Sequence, residues 1–145
     1  KEMQTNQYYL LIIVCFLICC ARTLTAETTK HFIGSAQCGS CHIDEYKKFL
    51  TYSKKSKSWE SIKIMASDLT QAEQEKCYRC HTTGYGQGGF KNYKETPELA
   101  DVGCETCHGP GGKHAASGGD PAFIKKPADK TCQKCHVQER ISAFR

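Results

Sequence analysis

The chain has 145 residues, enough for one small domain, with 39% hydrophobic residues and a net charge of +5. That charge is too mild and too scattered for a nucleic-acid binder. Eleven cysteines in so short a chain exclude casual usage and point to disulfides, metal or a covalently held cofactor as the source of stability.

The first predicted element is the apolar run at residues 8–21, YYLLIIVCFLICCA. It is short for a bilayer span and fits the core of a secretory signal. Thr23-Leu24-Thr25-Ala26 offers a cleavage site, so residues 1–26 are read as a signal peptide, with an uncleaved N-terminal anchor as the alternative. Cys15, Cys19 and Cys20 leave with it. Residues 27–145 then form one domain with 18 basic and 14 acidic residues, because Lys1, Arg22 and Glu2 are lost. The start at Lys1 reads as a fragment or a misplaced start.

Beyond residue 30 the chain alternates one recurring unit with helical segments and loops. The unit is Cys38-Gly39-Ser40-Cys41-His42, Cys77-Tyr78-Arg79-Cys80-His81, Cys104-Glu105-Thr106-Cys107-His108 and Cys132-Gln133-Lys134-Cys135-His136. The intervals between units are irregular, which excludes a solenoid. Ile43, Tyr46, Phe49 and Leu50 predict a helix after the first unit, and Trp59, Ile62 and Met65 a second helix. Lys54, Lys55 and Lys57 read as a solvated helix face. Thr70 and Glu73 form a capping-box pattern opening a helix into the second unit. Residues 84–89 and 109–120 are predicted loops. Thr96-Pro97 predicts an N-cap and first helical residue leading into the third unit, and Asp129 a cap for the fourth. No strand pattern appears. The fold class is mainly α with extensive loops, little or no β-sheet, and a core dominated by cofactor.

Cys-x-x-Cys-His is the attachment pattern of c-type haem. Cysteines three apart lie on one helical side, about one turn from each other, so both sulfurs reach the vinyl groups along one porphyrin edge. The next residue points an imidazole at the iron. Cys38, Cys41, Cys77, Cys80, Cys104, Cys107, Cys132 and Cys135 are the predicted attachment residues, and His42, His81, His108 and His136 the proximal ligands of four haem c groups. Zinc ribbons or four disulfides would use the cysteines, but neither needs a histidine after each second cysteine. Only six histidines exist and four hold that position. A phosphate loop at GPGGK fails, because Cys107 stands where its first glycine belongs and His114 where Ser or Thr belongs.

His114, beyond a glycine hinge, and His31, seven residues before the first cysteine, are the distal-ligand candidates. The competing readings are a solvent-facing loop histidine and a chain-end histidine. Met65 is read as packing and Lys57 as solvated. With two histidines for four distal positions, irons are left with open faces, unusual ligands or histidines from elsewhere.

Three stretches carry a family resemblance: Phe32-Ile33-Gly34-Ser35, "CHTTGYG" at residues 80–86, and "GCETCHGPGGKH" at residues 103–114. On these the chain resembles the tetrahaem cytochromes of the cytochrome c-554 family. The resemblance implies a mainly helical fold, closely stacked haems, periplasmic electron transfer and a ligand role for His114. Some members keep one haem open. Lys57 stands where relatives of this kind often place a histidine. The expectation is an exported electron carrier and not an enzyme, with periplasmic or membrane redox proteins as partners and no nucleic acid. The alternatives are a haem enzyme reducing a small nitrogen oxide, for which no acid or substrate cluster is visible, and a subunit of a multihaem assembly with ligands from a neighbouring chain.

Overall fold

The computed structural model describes residues 31–137. The predicted signal segment and the last eight residues, with Cys15, Cys19 and Cys20, lie outside them. Short helices and loops make up the described residues, with no strand among them. The helices are α1 (Ser35–Gly39), α2 (Ile43–Tyr52), α3 (Ser58–Met65), α4 (Gln71–His81), α5 (Cys104–His108), α6 (Gly112–Ala116) and α7 (Asp129–Cys132). Single 3-10 turns lie at Lys54–Lys57, Ala66–Asp68, Pro97–Leu99 and Pro121–Phe123.

The local signals act largely as read. α2 follows the apolar spacing from Ile43, with Asp44 and Glu45 favourably placed in its first turn. The Thr70 hydroxyl accepts from Glu73 N while Glu73 returns a carboxylate to Thr70 N, completing the capping box that opens α4. That double contact holds the Glu73 carboxyl below the usual range, the Thr70 hydroxyl first and its amide second.

Five local expectations change. Residues 109–120 hold α6, because Gly111 N is fixed by the Glu105 carboxylate and starts a helical turn there. Pro97 opens only a 3-10 turn, and the Thr96 hydroxyl turns back to accept from Lys91 N. Asp129 is the first residue of α7, after Ala128 at the cap position. Met65 is 54% exposed at the end of α3 and packs in no core. Lys54, Lys55 and Lys57 are exposed, on a 3-10 turn in place of a regular helix face.

Glycine is required where the motif helices start and stop. Gly34, before α1, has φ +81, and a Cβ there would press on the Glu98 backbone at 3.2 Å. Gly109 has φ +82 and ends α5 directly after His108.

The protein's own core is small. Ile62, Tyr78, Phe90, Leu99 and Ala100 form one buried cluster, with Trp59, Tyr85, Phe32 and Cys77 packed against it. Trp59 lies 5.4 Å from Phe90 and 5.8 Å from Tyr78, centre to centre. This cluster braces α3, α4 and the 3-10 turn at Pro97–Leu99 around the second unit. Asp101 closes the arrangement by accepting from Trp59 N at 2.8 Å, in the first turn of α3.

Burial raises the Asp101 carboxyl above its ordinary range, against the opposing Trp59 N–H. A carboxyl raised on folding favours the folded state below its unfolded pKa, and that advantage is lost as pH rises through the folded value. Asp101→Asn keeps an oxygen for Trp59 and removes the charge. It should melt above wild type at pH 7, with the gap closing on acidification below the carboxylate range. A variant that melts below wild type at neutral pH contradicts this.

Candidate haem sites

Each Cys-x-x-Cys-His unit lies on or beside a short helix. α1 carries Cys38, and His42 N bonds back to the Cys38 carbonyl at 3.0 Å. α4 ends on Cys77, Cys80 and His81, α5 is the third unit itself, and α7 leads into the fourth, where His136 N bonds the Cys132 carbonyl at 2.9 Å. Among the described residues no disulfide joins any two cysteines of the units, so the four disulfides considered from sequence do not form between them. Among the described residues no three His, Cys, Asp or Glu side chains converge as a bare metal ion would need. That disfavours zinc ribbons and agrees with haem iron, which asks the protein for only two axial ligands.

The histidines are held in ligand form. The Nδ1 of His108 meets the Lys125 carbonyl at 2.9 Å, that of His114 meets the Asp120 carbonyl at 2.9 Å, and that of His81 meets the Ser58 carbonyl at 3.3 Å. A carbonyl partner keeps the proton on Nδ1 and leaves the Nε2 lone pair free for metal. His42 and His114 face each other, with ring centres 6.1 Å apart and planes 17° from parallel. A metal–imidazole bond is about 2 Å and each ring centre lies roughly 1 Å from its nitrogens, so two imidazoles sharing one metal have centres about 6 Å apart. The spacing of His42 and His114 matches that distance. His31 is placed differently: its carbonyl accepts from Gly112 N and its ring packs against Gly112. Among the described residues it faces no other imidazole.

The units also touch one another. The Cys38 and Cys104 thiols lie beside each other, joining the first and third units, and the Cys38 thiol donates to the Gly34 carbonyl at 3.6 Å. The Cys104 thiol pushes that of Cys38 far up, followed by burial and by the charges of Cys104 and Glu105. Cys104 is lowered to about 6 by its Cys38 neighbour, with further help from the Ser35 hydroxyl. Burial raises the Cys107 thiol, with the Lys55 ammonium opposing it. The Cys135 thiol points at the Arg79 carbonyl, 3.9 Å away, bringing the fourth unit onto the second.

Buried polar groups fix these approaches, and none was foreseen from sequence. Thr83 is 2% exposed; its hydroxyl donates to the Asp101 carbonyl at 2.6 Å and accepts from Gly103 N at 2.8 Å. The Ser35 hydroxyl accepts from Cys104 N, and the Ser58 hydroxyl links the His81 carbonyl to Val102 N. Glu105, 2% exposed inside the third unit, accepts from Ile33 N, Gly34 N and Gly111 N. For Thr83, Ser35 and Glu105 the one signal in sequence is position, beside or within a Cys-x-x-Cys-His unit, and Ser58 lies far from any unit in sequence.

Residues 37–109 match the family described as Cytochrome c554 and c-prime, which spans the first three units. The chain belongs to this cytochrome c554 family. Membership of a cytochrome c family implies covalently bound haem c. Cytochrome c-554 of Nitrosomonas europaea is 33% identical over 153 aligned positions, which cover 88% of this chain and 62% of that protein. The chain thus spans under two thirds of the length of the curated relative it matches. No solved structure matches it. The helical architecture and the family agree with the fold class read from sequence.

Proposed function

We propose that this cytochrome is an exported electron carrier that holds four haem c groups and passes electrons among them between redox partners. The observation that carries the reading is the contact between units, above all the Cys104 N–H that donates to the Ser35 hydroxyl of α1 at 3.1 Å, since attachment points that touch bring their cofactors close. Bound haem supplies a reversible one-electron iron couple. The chain does the rest. Cys38 and Cys41, Cys77 and Cys80, Cys104 and Cys107, and Cys132 and Cys135 fasten one group each. His42, His81, His108 and His136 ligate from the proximal side, three ring orientations being supported: His81 and His108 by carbonyls, His42 by its pairing with His114. His114 is the proposed distal ligand opposite His42, a role assigned to a particular iron that spacing alone left open. His31 remains a distal candidate only, having no ring partner among the described residues.

Export is proposed from the apolar run at residues 8–21 and from the chemistry, because haem attachment of this kind occurs outside the cytoplasm. No helix of the described residues is long and apolar enough to cross a membrane. Periplasmic or membrane redox proteins are the proposed partners.

A second reading, a haem enzyme reducing a small nitrogen oxide, is favoured by one observation. Among the described residues, a second imidazole faces His42 alone of the four proximal histidines. One experiment separates the readings. The intact holoprotein is weighed by mass spectrometry, then followed by low-temperature EPR when oxidised and by carbon monoxide difference spectra when reduced. The carrier reading expects four covalent haems, low-spin signals throughout and no gas binding. A high-spin signal that binds carbon monoxide and is reoxidised catalytically by nitric oxide or nitrite would move the assignment to the enzyme. A mass without covalent haem removes both.

A further inference from the structure

Among the described residues Glu105 is the one acidic side chain that is buried, at 2% exposure. It sits between the two cysteines of the third unit, a place where haem attachment itself asks nothing of the side chain. A buried carboxylate is costly unless several donors converge on it. Here three backbone amides do, and they come from two separate arms of the chain. Oε2 accepts from Gly34 N at 2.7 Å and Ile33 N at 3.1 Å, while Oε1 accepts from Gly111 N at 2.7 Å and Ile33 N at 3.0 Å.

Each arm leads to one half of the facing histidine pair. Gly34 is the N-cap of α1, which carries Cys38 and passes through one turn to His42. Gly111 is the N-cap of α6, which carries His114. Both helices are five residues long, too short to hold a direction by themselves. Their starting amides are pinned to one carboxylate, and their far ends carry the two imidazoles whose centres lie 6.1 Å apart. Charge-assisted bonds from amide to carboxylate are the strong kind. Gly111 also has no room for a longer lever: a Cβ there would meet Glu105 Oε1 at 3.3 Å and Ile33 Cδ1 at 3.4 Å.

We propose that Glu105 is a positioning residue for the His42–His114 pair, clamping the arms that carry the two rings so that both can hold one iron. It touches neither ring; it sets where both helices begin. The inference rests on the proposed ligand role of His114, and the test keeps the two apart.

Glu105→Asp retains the charge and withdraws it by one methylene, so that it cannot reach both arms. The intact holoprotein of wild type, Glu105→Asp, His114→Ala and the double variant is reduced and titrated with carbon monoxide. His114→Ala should bind one more molecule of gas per chain than wild type. Glu105→Asp should gain the same single site with covalent haem count unchanged, and the double variant should gain no second one. If His114→Ala gains a site and Glu105→Asp gains none, the ligand reading stands and the clamp is overturned. If His114→Ala gains none, the ligand reading fails and the clamp falls with it. Amide exchange in the wild-type holoprotein tests the clamp without a variant. Ile33, Gly34 and Gly111 should exchange slowly, and rapid exchange at either arm overturns the proposal.

Discussion

Produced where haem is not attached, this chain should fail to hold the fold. Far-UV circular dichroism should show little helix, melting should lack a cooperative transition, and protease should cut throughout. The holoprotein should resist all three. The reason lies in where the apolar side chains are. Ile62, Tyr78, Phe90, Leu99, Ala100 and Val102 are the buried ones, and they gather around the second unit. The first and fourth units have no such support. Ile43 follows His42 directly and is 49% exposed; Val137 follows His136 directly and is 38% exposed. Leu50 and Phe123 are similarly uncovered. Helices of four to ten residues, as α7, α1, α5, α6 and α2 are, fall below the length that is stable alone in water. They need an apolar surface to lie on, and among the described residues the chain supplies it only near Tyr78. Serine in place of Cys38 and Cys41 should remove one haem by mass and loosen α1 and α2 first. A haem-free chain that melts cooperatively with native helix content would overturn the account.

The same distribution explains which features the sequence disclosed. α2, α3 and α4 were legible because each carries apolar residues at helical spacing or a capping box, signals that act within a few residues. The attachment residues were legible because covalent chemistry fixes their spacing absolutely. α6 was not, since glycine-rich sequence reads as loop, and its start depends on Glu105 six residues earlier in the chain. Likewise, the partner of His114 was hidden. Its facing ring, His42, lies 72 positions away in sequence, and no periodicity encodes a pairing of that range. Thr83 escaped for the opposite reason. Threonine beside a motif is common, and its importance comes only from its burial.

Thr83→Val should therefore be the most damaging change outside the haem-binding residues. Valine matches threonine in shape, so no cavity forms and the loss is purely polar. The hydroxyl donates to the Asp101 carbonyl, accepts from Gly103 N, and receives the Thr106 hydroxyl at 3.2 Å. Thr106 is partly exposed and can turn to water. The Gly103 amide is buried in the native structure, and the Asp101 carbonyl faces the lost hydroxyl. Each buried group left without a partner costs about 1–3 kcal/mol, so the two together cost roughly 2–6 kcal/mol. For a domain near this size that lowers the melting temperature by roughly 10–20 °C. Thr83→Ser keeps the hydroxyl and loses one methyl, a change worth about 1 kcal/mol. Thermal melting of the three holoproteins, monitored by circular dichroism, reads the difference directly. The position of Thr83 adds a consequence beyond stability. Its backbone N bonds the Leu99 carbonyl and its carbonyl accepts from Phe90 N, so the residue belongs to the core around the second unit. Its side chain meanwhile grips Gly103, the residue before Cys104. Releasing that grip lets the third unit drift from the second while all covalent attachments remain. Potentiometric titration of Thr83→Val below its melting temperature should show altered interaction between haems, with haem content unchanged by mass. A valine variant that melts within about 1 kcal/mol of the serine variant would show that the network does not hold the two units together.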